Sequence, residues 1–197
     1  MNMKNNLTAV ISSGKFKGKK LALPSLSTTR STKSIVKESV FNSLQGEIYG
    51  SVFIELFGGS GLMAATAVSN YAKKGYAIEL DKAAFNNLRA NFNALNEISN
   101  GALIALHGDT FELTPKILAE NAEQKTILYA DPPFDIRDGF NGIYERLYKM
   151  LDGLEAYMII IEHISSHKPP QNISKFELIK NRKFGNTTLS YYAKCIK

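Results

Sequence analysis

Along this chain the apolar residues switch between two spacings, every third or fourth position in some stretches and short unbroken runs in others. Residues 32–45 set Ile35, Val36, Val40, Phe41 and Leu44 on one helical stripe, with Ser31 or Thr32 available as N-cap. Past Gly46 and Gly50 the pattern changes. Residues 52–57 form a strand-length apolar run into glycines, residues 62–71 return to a helical period, residues 75–80 form a second strand, and residues 81–95 a second helix carrying Ala84, Leu88 and Leu95. Strands at 102–106, 126–130 and 157–162 follow, with helices at 111–121 and 144–151 between them.

Such an alternation predicts right-handed strand–helix–strand crossovers and a mostly parallel sheet covered on both faces, a doubly wound α/β fold of Rossmann type. The tail departs from it. Residues 175–180 and 187–196 are strand-like and separated only by N-R-K-F-G-N, which predicts an antiparallel hairpin at the sheet edge. The chain has no internal repeat. Residues 23–31, with Pro24 and a Ser/Thr-rich run, are the one linker candidate and divide a small basic N-terminal extension, residues 1–30, from a sheet domain, residues 31–197.

Charge refines this picture. The net charge of +6 sits at the ends: residues 1–40 hold eight Lys/Arg against one acid and residues 163–197 seven against one, while the middle holds nine against sixteen. In S-S-G-K-F-K-G-K-K-L, residues 12–21, the side chains Lys15, Lys17, Lys19 and Lys20 are interleaved with glycines and an aromatic. That suits a hairpin or loop laid along phosphates, where each lysine displaces a condensed counterion; a solvated basic face is the plainer alternative. The apolar runs are strand-sized and no basic N-terminal segment leads into an apolar one, so a cytoplasmic protein with no membrane contact is expected. A single cysteine, Cys195, excludes an internal disulfide framework. His107, His163 and His167 have no ligand spacing beyond one His-x3-His, so no metal is expected.

In an open α/β sheet, ligands bind beyond the carboxyl ends of the strands. The first strand leads into I-E-L-F-G-G-S-G, residues 54–61, whose glycines permit a tight turn and a close approach to a helix N-terminus. Glu79 and Asp81 follow the second strand, Asp109 the third, and Asp131 the fourth. Four successive strands thus deliver carboxylates to one rim, although Asp81 alone is explained as a helix cap. Gly59, Gly61 and Ala64 also satisfy G-x-G-x-x-G/A, with Glu79 placed to hold a ribose, the pattern of a nicotinamide-binding dehydrogenase. Glu55 argues against a pyrophosphate at that turn and for a cationic ligand. S-adenosylmethionine has an ammonium for the Glu55 region, ribose hydroxyls for Glu79 and an adenine amino group for Asp109.

E-L-F-G-G-S-G, I-E-L-D, G-D and D-P-P-F, in this order, resemble the motifs of Rossmann-type S-adenosylmethionine-dependent methyltransferases that modify exocyclic amino groups. S-G-K-F-K-G-K-K-L, T-R-S-T at 29–32, K-E-S-V-F-N at 37–42 and K-F-G-N-T-T-L-S-Y-Y narrow the resemblance to the bacterial RsmD-type family that methylates guanine N2 in 16S ribosomal RNA. It spans roughly residues 11–195. Members usually carry Asp, Ala and Pro where this chain has Glu55, Gly58 and Ser31. The resemblance implies a methyltransferase sheet with cofactor contacts at Glu55, Phe57, Gly59, Ser60, Gly61, Glu79, Leu80, Asp109 and Thr110. It implies RNA contacts at Lys15, Lys17, Lys19, Lys20 and Arg30, and ribosomal RNA or an assembling small subunit as the partner; a monomer is the default expectation.

The stretch D-P-P-F then acquires a chemical reading, with Asp131, Pro132, Pro133 and Phe134 as catalytic candidates. A purine's exocyclic nitrogen is a poor nucleophile because its lone pair is delocalised. A carboxylate at Asp131 and a carbonyl at Pro132 or Pro133 can accept its two hydrogens and favour a pyramidal nitrogen. Proline fixes the backbone that holds these acceptors, and Phe134 offers a face on which a flipped base stacks. Asp135 and Asp138 read as solvated acids or a helix cap, and Glu162 as either a scaffold for the site or a sheet-edge carboxylate. Tyr191 and Tyr192 read as alternating strand residues. A DNA adenine-N6 methyltransferase and a non-catalytic RNA-binding protein on the same scaffold are the competing functions.

Overall fold

The computed structural model describes residues 7–24, 30–133 and 141–194. It opens with a short antiparallel pair, β1 (Thr8–Val10) and β2 (Lys20–Ala22), linked through a single 3-10 turn at Gly14–Phe16. Then come α1 (Arg30–Ser43), β3 (Val52–Glu55), α2 (Leu62–Ser69), β4 (Lys74–Glu79), α3 (Lys82–Ser99), β5 (Leu103–His107), α4 (Thr110–Glu120), β6 (Thr126–Ala130), α5 (Asn141–Leu151) and β7 (Met158–Ile164). Three antiparallel strands close the fold: β8 (Asn172–Ile173), β9 (Phe176–Phe184) and β10 (Thr187–Lys194).

The eight-stranded sheet runs β5-β4-β3-β6-β7-β10-β9-β8, parallel from β5 to β7 and antiparallel beyond. Strand order reverses at β3, whose two neighbours are β4 and β6, so a crevice opens between their carboxyl ends. Alternate residues face opposite layers: Phe53 and Tyr129 pack with α1, α2 and α3, while Val52, Ile54 and Leu128 pack with α4 and α5. Both faces are therefore dry, which is why the central strands read as unbroken apolar runs.

Several expectations shift. The first helix begins at Arg30, so Ser31 and Thr32 lie inside its first turn instead of capping it. The N-R-K-F-G-N stretch is mostly strand: β9 continues to Phe184 and only Gly185 and Asn186 make the turn to Thr187. Its polar side chains are tolerated because one face of this strand is solvated while the backbone from Asn181 to Phe184 pairs with β10. The two-residue β8 is too short to leave a strand pattern in the sequence. Phe134, Asp135, Asp138, Cys195 and residues 25–29 of the linker lie outside the described residues.

The N-terminal pair is docked on the sheet domain. Ile11, Phe16 and Leu21 are buried in the same apolar cluster as α1, α2 and α3. Ser69 Oγ on α2 accepts from the Phe16 amide at 2.9 Å and donates to the Ser13 carbonyl at 2.5 Å. Gly14 has φ +73°, and a Cβ there would stand 1.9 Å from the Ser69 carbonyl oxygen, so the close approach requires glycine. Asn91 on α3 bonds both the amide and the carbonyl of Ala22 and also the Ser60 carbonyl, tying hairpin and glycine turn to one side chain. Among the described residues no helix is long and apolar enough to cross a membrane.

Candidate active site

The turn after β3 is built around Glu55 and Gly61. Glu55 ends the strand fully inside the protein, and its Oε2 accepts from the Ala64 amide at 2.9 Å, at the N-terminus of α2. Burial, reinforced by the charges of Asp131 and Glu79, raises its carboxyl to about 8 against the lowering effect of the Ala64 and Met63 amides. Gly61 caps α2 at φ +76°, and a Cβ would meet Phe92 Cε1 at 2.3 Å, so the turn can lie against α3 only as glycine. Ser60 is buried and contributes its carbonyl to Asn91.

Glu79 closes β4 and reaches back to this turn. Its Oε2 accepts from the Gly59 amide and its Oε1 from the Asp81 amide, each at 2.8 Å. Asp81 itself caps α3 through the Ala84 amide at 2.8 Å, as expected of an aspartate at a helix start. Asp109 caps α4 in the same manner, with Oδ1 accepting from Phe111 N at 2.9 Å. Its Oδ2 pairs with Arg146 on α5 at 2.7 Å. The Arg146 guanidinium also lies 3.9 Å over the Phe111 ring, and Phe111 meets Phe57 edge-on at 6.2 Å.

These groups line one cleft of about 900 Å³, together with Ile78, Leu80, Thr110, Pro132 and Pro133. On the other side of the strand ends lies a second cavity of about 640 Å³. Its roof is the N-terminal hairpin and α1, represented by Val10, Lys20 and Lys37; its floor is Glu55, Tyr129, Asp131 and Glu162. Phe57, Gly59 and Asp131 line both spaces, so the aspartate stands where they meet.

The floor is strongly acidic. Tyr129 donates its hydroxyl to Glu162, and burial raises its phenol well above the ordinary value, reinforced by the charges of Glu162, Asp131 and Glu55. Opposite, Lys37 is almost wholly buried and donates to the Val10 carbonyl at 2.9 Å; burial lowers its ammonium. Lys15, Lys17, Lys19 and Lys20 are all exposed on the hairpin, and of the four Lys20 lines this cavity. Arg30 opens α1, and its side chain lies outside the described residues, as does Phe134.

The structure thus gathers Phe57, Gly59, Glu79, Leu80, Asp109, Thr110 and Asp131 around one crevice, whereas Glu55 and Ser60 line the neighbouring cavity. Sequence reasoning did not single out Arg146, Phe111, Tyr129 or Lys37. Arg146 is 37 residues from Asp109 on an unremarkable helix, and nothing in its spacing signals the pair. Lys37 carried one signal, its place at the head of the K-E-S-V-F-N stretch.

Strand order, the glycine turn at the reversal point and an acidic rim define a Rossmann-type methyltransferase fold. Solved structures of this class superpose closely: a methyltransferase designated yhhF from Escherichia coli matches with TM-score 0.72 at 24% identity, covering 95% of this chain and 98% of that one. An RNA methyltransferase from Salinibacter ruber, solved with S-adenosyl-L-homocysteine, matches with TM-score 0.57 at 14% identity over 83% of this chain and 92% of that one. At these identities they establish the fold. The family described as Conserved hypothetical protein 95 matches residues 9–193, and the chain belongs to that family. Similar curated proteins are the ribosomal RNA small subunit methyltransferase D of Haemophilus influenzae, 28% identical over 185 residues and 92% of each chain, and that of Escherichia coli K12, 31% identical over 121 residues. The latter match covers 61% of this chain and spans 58% of the E. coli protein's length.

Proposed function

We propose that this protein transfers a methyl group from S-adenosylmethionine to the exocyclic N2 amino group of a guanine in 16S ribosomal RNA, acting in the cytoplasm as a monomer on the RNA or an assembling small subunit. The observation that carries the reading is the position of Asp131 at the junction of two cavities, a larger cleft and a smaller chamber under a lysine-bearing hairpin. The curated relatives of H. influenzae and E. coli bear the name of a small-subunit ribosomal RNA methyltransferase, in keeping with it.

The cleft suits the donor. Its acidic and amide groups match an ammonium and ribose hydroxyls, and Phe57, Leu80 and Phe111 offer apolar faces to an adenine. Glu79 would hold the ribose and Asp109, braced by Arg146, the adenine amino group. Phe57, Gly59, Ser60, Gly61 and Thr110 would complete the contacts. When bound, the cofactor supplies an electrophilic methyl group on a positively charged sulfur.

The chain does the rest. Asp131 and the Pro132 carbonyl accept hydrogen bonds from the amino group, so its lone pair is drawn out of the purine ring and directed across the junction. Pro132 and Pro133 have no amide hydrogens and fixed φ, which keeps these acceptors still. The proton displaced by methylation has Asp131 Oδ as its first acceptor. Phe134 would stack on the extruded base, and the exposed lysines and Arg30 of residues 1–30 would hold the phosphates of the flanking strand.

The test is incubation of the protein with labelled S-adenosylmethionine and 16S RNA from a strain lacking the gene, followed by nucleoside mass analysis. N2-methylguanosine is expected. N6-methyladenosine, or no transfer, overturns the reading.

A further inference from the structure

We infer that Glu162 is the residue that selects guanine over adenine, by accepting the N1–H of the extruded base while Asp131 accepts from the exocyclic amino group. This rests on the guanine-N2 reading above. The last paired residues of β6 and β7 are Ala130 and Ile161, and the next residues along the two strands are Asp131 and Glu162. Neighbouring parallel strands lie about 4.8 Å apart. Side chains two residues on from Tyr129 and Ile160 share their face of the sheet, the face on which the hairpin and α1 roof the smaller cavity. Two carboxylates therefore stand side by side on the floor of the chamber proposed for the base.

A purine's Watson–Crick edge is what such a floor can read. Guanine presents N1–H and N2–H₂, a row of donors; adenine presents an amino group but an N1 lone pair, an acceptor. Paired carboxylates complement the first. Against the second, one hydrogen bond forms at Asp131 while Glu162 faces the adenine N1 acceptor to acceptor, in a cavity where it is buried to 7% exposure. A site built to bond a particular hydrogen discriminates strongly against the analogue lacking it, because its own buried group is then left unmatched.

Glu162 is also held for the task. Tyr129 donates its hydroxyl to Glu162 Oε2 from the adjacent strand, and Phe53 stacks on Tyr129 with ring centroids 6.2 Å apart. A carboxylate has acceptor capacity for about four contacts, so the tyrosine bond fixes its orientation while consuming one. A purely structural partner for a tyrosine hydroxyl needs no negative charge; glutamine or a carbonyl serves equally well.

The experiment uses 16S RNA assembled by ligation, carrying at the methylated position guanosine, 2,6-diaminopurine riboside or 2-aminopurine riboside. All three keep the N2 amino group; the latter two replace N1–H by an acceptor, and only diaminopurine carries an amino group at C6. Wild-type protein is expected to methylate the guanosine RNA with a kcat/KM roughly 10²-fold above both analogues. Glu162→Gln, whose amide can donate to N1 and still accept from Tyr129, is expected to bring the three within about threefold or to favour the analogues. Comparable wild-type rates on guanosine and both analogues overturn the inference, and so does a Glu162→Gln protein that binds S-adenosylhomocysteine normally yet keeps the full guanosine preference. Failure of wild type to methylate the guanosine RNA sinks the underlying reading instead. The wild-type comparison depends on no substitution, so it decides the matter even if the variant does not fold.

Discussion

Replacing Glu55 by Gln should make the protein's stability less dependent on pH. Glu55 is inside the protein, its carboxyl raised from the ordinary 4.5 to about 8 by burial. That displacement corresponds to on the order of 5 kcal/mol between its two protonation states. A raised pKa means that the folded state binds the proton more tightly than the unfolded chain. Its stabilising contribution is complete below pH 4.5 and is lost progressively as pH rises through about 8. Glutamine still accepts from the Ala64 amide but does not titrate. Urea unfolding of both proteins at intervals from pH 5 to 9 should therefore show wild type losing roughly 3–5 kcal/mol relative to Glu55→Gln. Saturating S-adenosylmethionine should shrink this loss, because a fixed positive charge nearby favours the ionised carboxylate. Parallel stability curves for the two proteins would refute the reasoning.

Three further outcomes are expected. Changing Lys15, Lys17, Lys19 and Lys20 together to Ala should weaken RNA binding and reduce the slope of log affinity against log salt by about 3, measured by filter binding. Ser69→Ala leaves the Phe16 amide without its 2.9 Å acceptor, so it should destabilise hairpin docking by about 1–3 kcal/mol, seen as faster hydrogen exchange at Phe16. Arg146→Ala removes the brace on Asp109 and the cation over Phe111; calorimetry should show cofactor affinity falling about tenfold. Stability should change by less than about 1 kcal/mol, since that ion pair is partly exposed.

The order of strands and helices is readable in the sequence because β3, β4, β6 and β7 are covered on both faces and so are nearly unbroken apolar runs. The location of Glu55, Glu79, Asp109 and Asp131 is readable for a topological reason. In a parallel sheet all carboxyl ends lie on one side, so the residue after each strand points toward the same crevice. Contacts that join distant elements are not readable in this way. Arg146 reaches Asp109 from a helix whose own pattern requires only burial of Tyr144, Leu147 and Leu151. Lys37 looks like a solvated helix position until the hairpin folds over it and supplies the Val10 carbonyl. The 181–184 segment misleads because local polarity favours a turn, whereas a full ladder to β10 outweighs it.

The central claim concerns Asp131, and one comparison tests it most directly: kcat for methyl transfer to 16S RNA by wild type and by Asp131→Asn, with calorimetric binding of S-adenosylhomocysteine measured on the same samples. Asparagine nearly preserves shape but gives up the charge and half of the accepting capacity that draws out the nitrogen lone pair. A fall in kcat of at least about 10²-fold, with ligand affinity changed less than about threefold, is the predicted result. Undiminished turnover in the Asn protein would contradict the account.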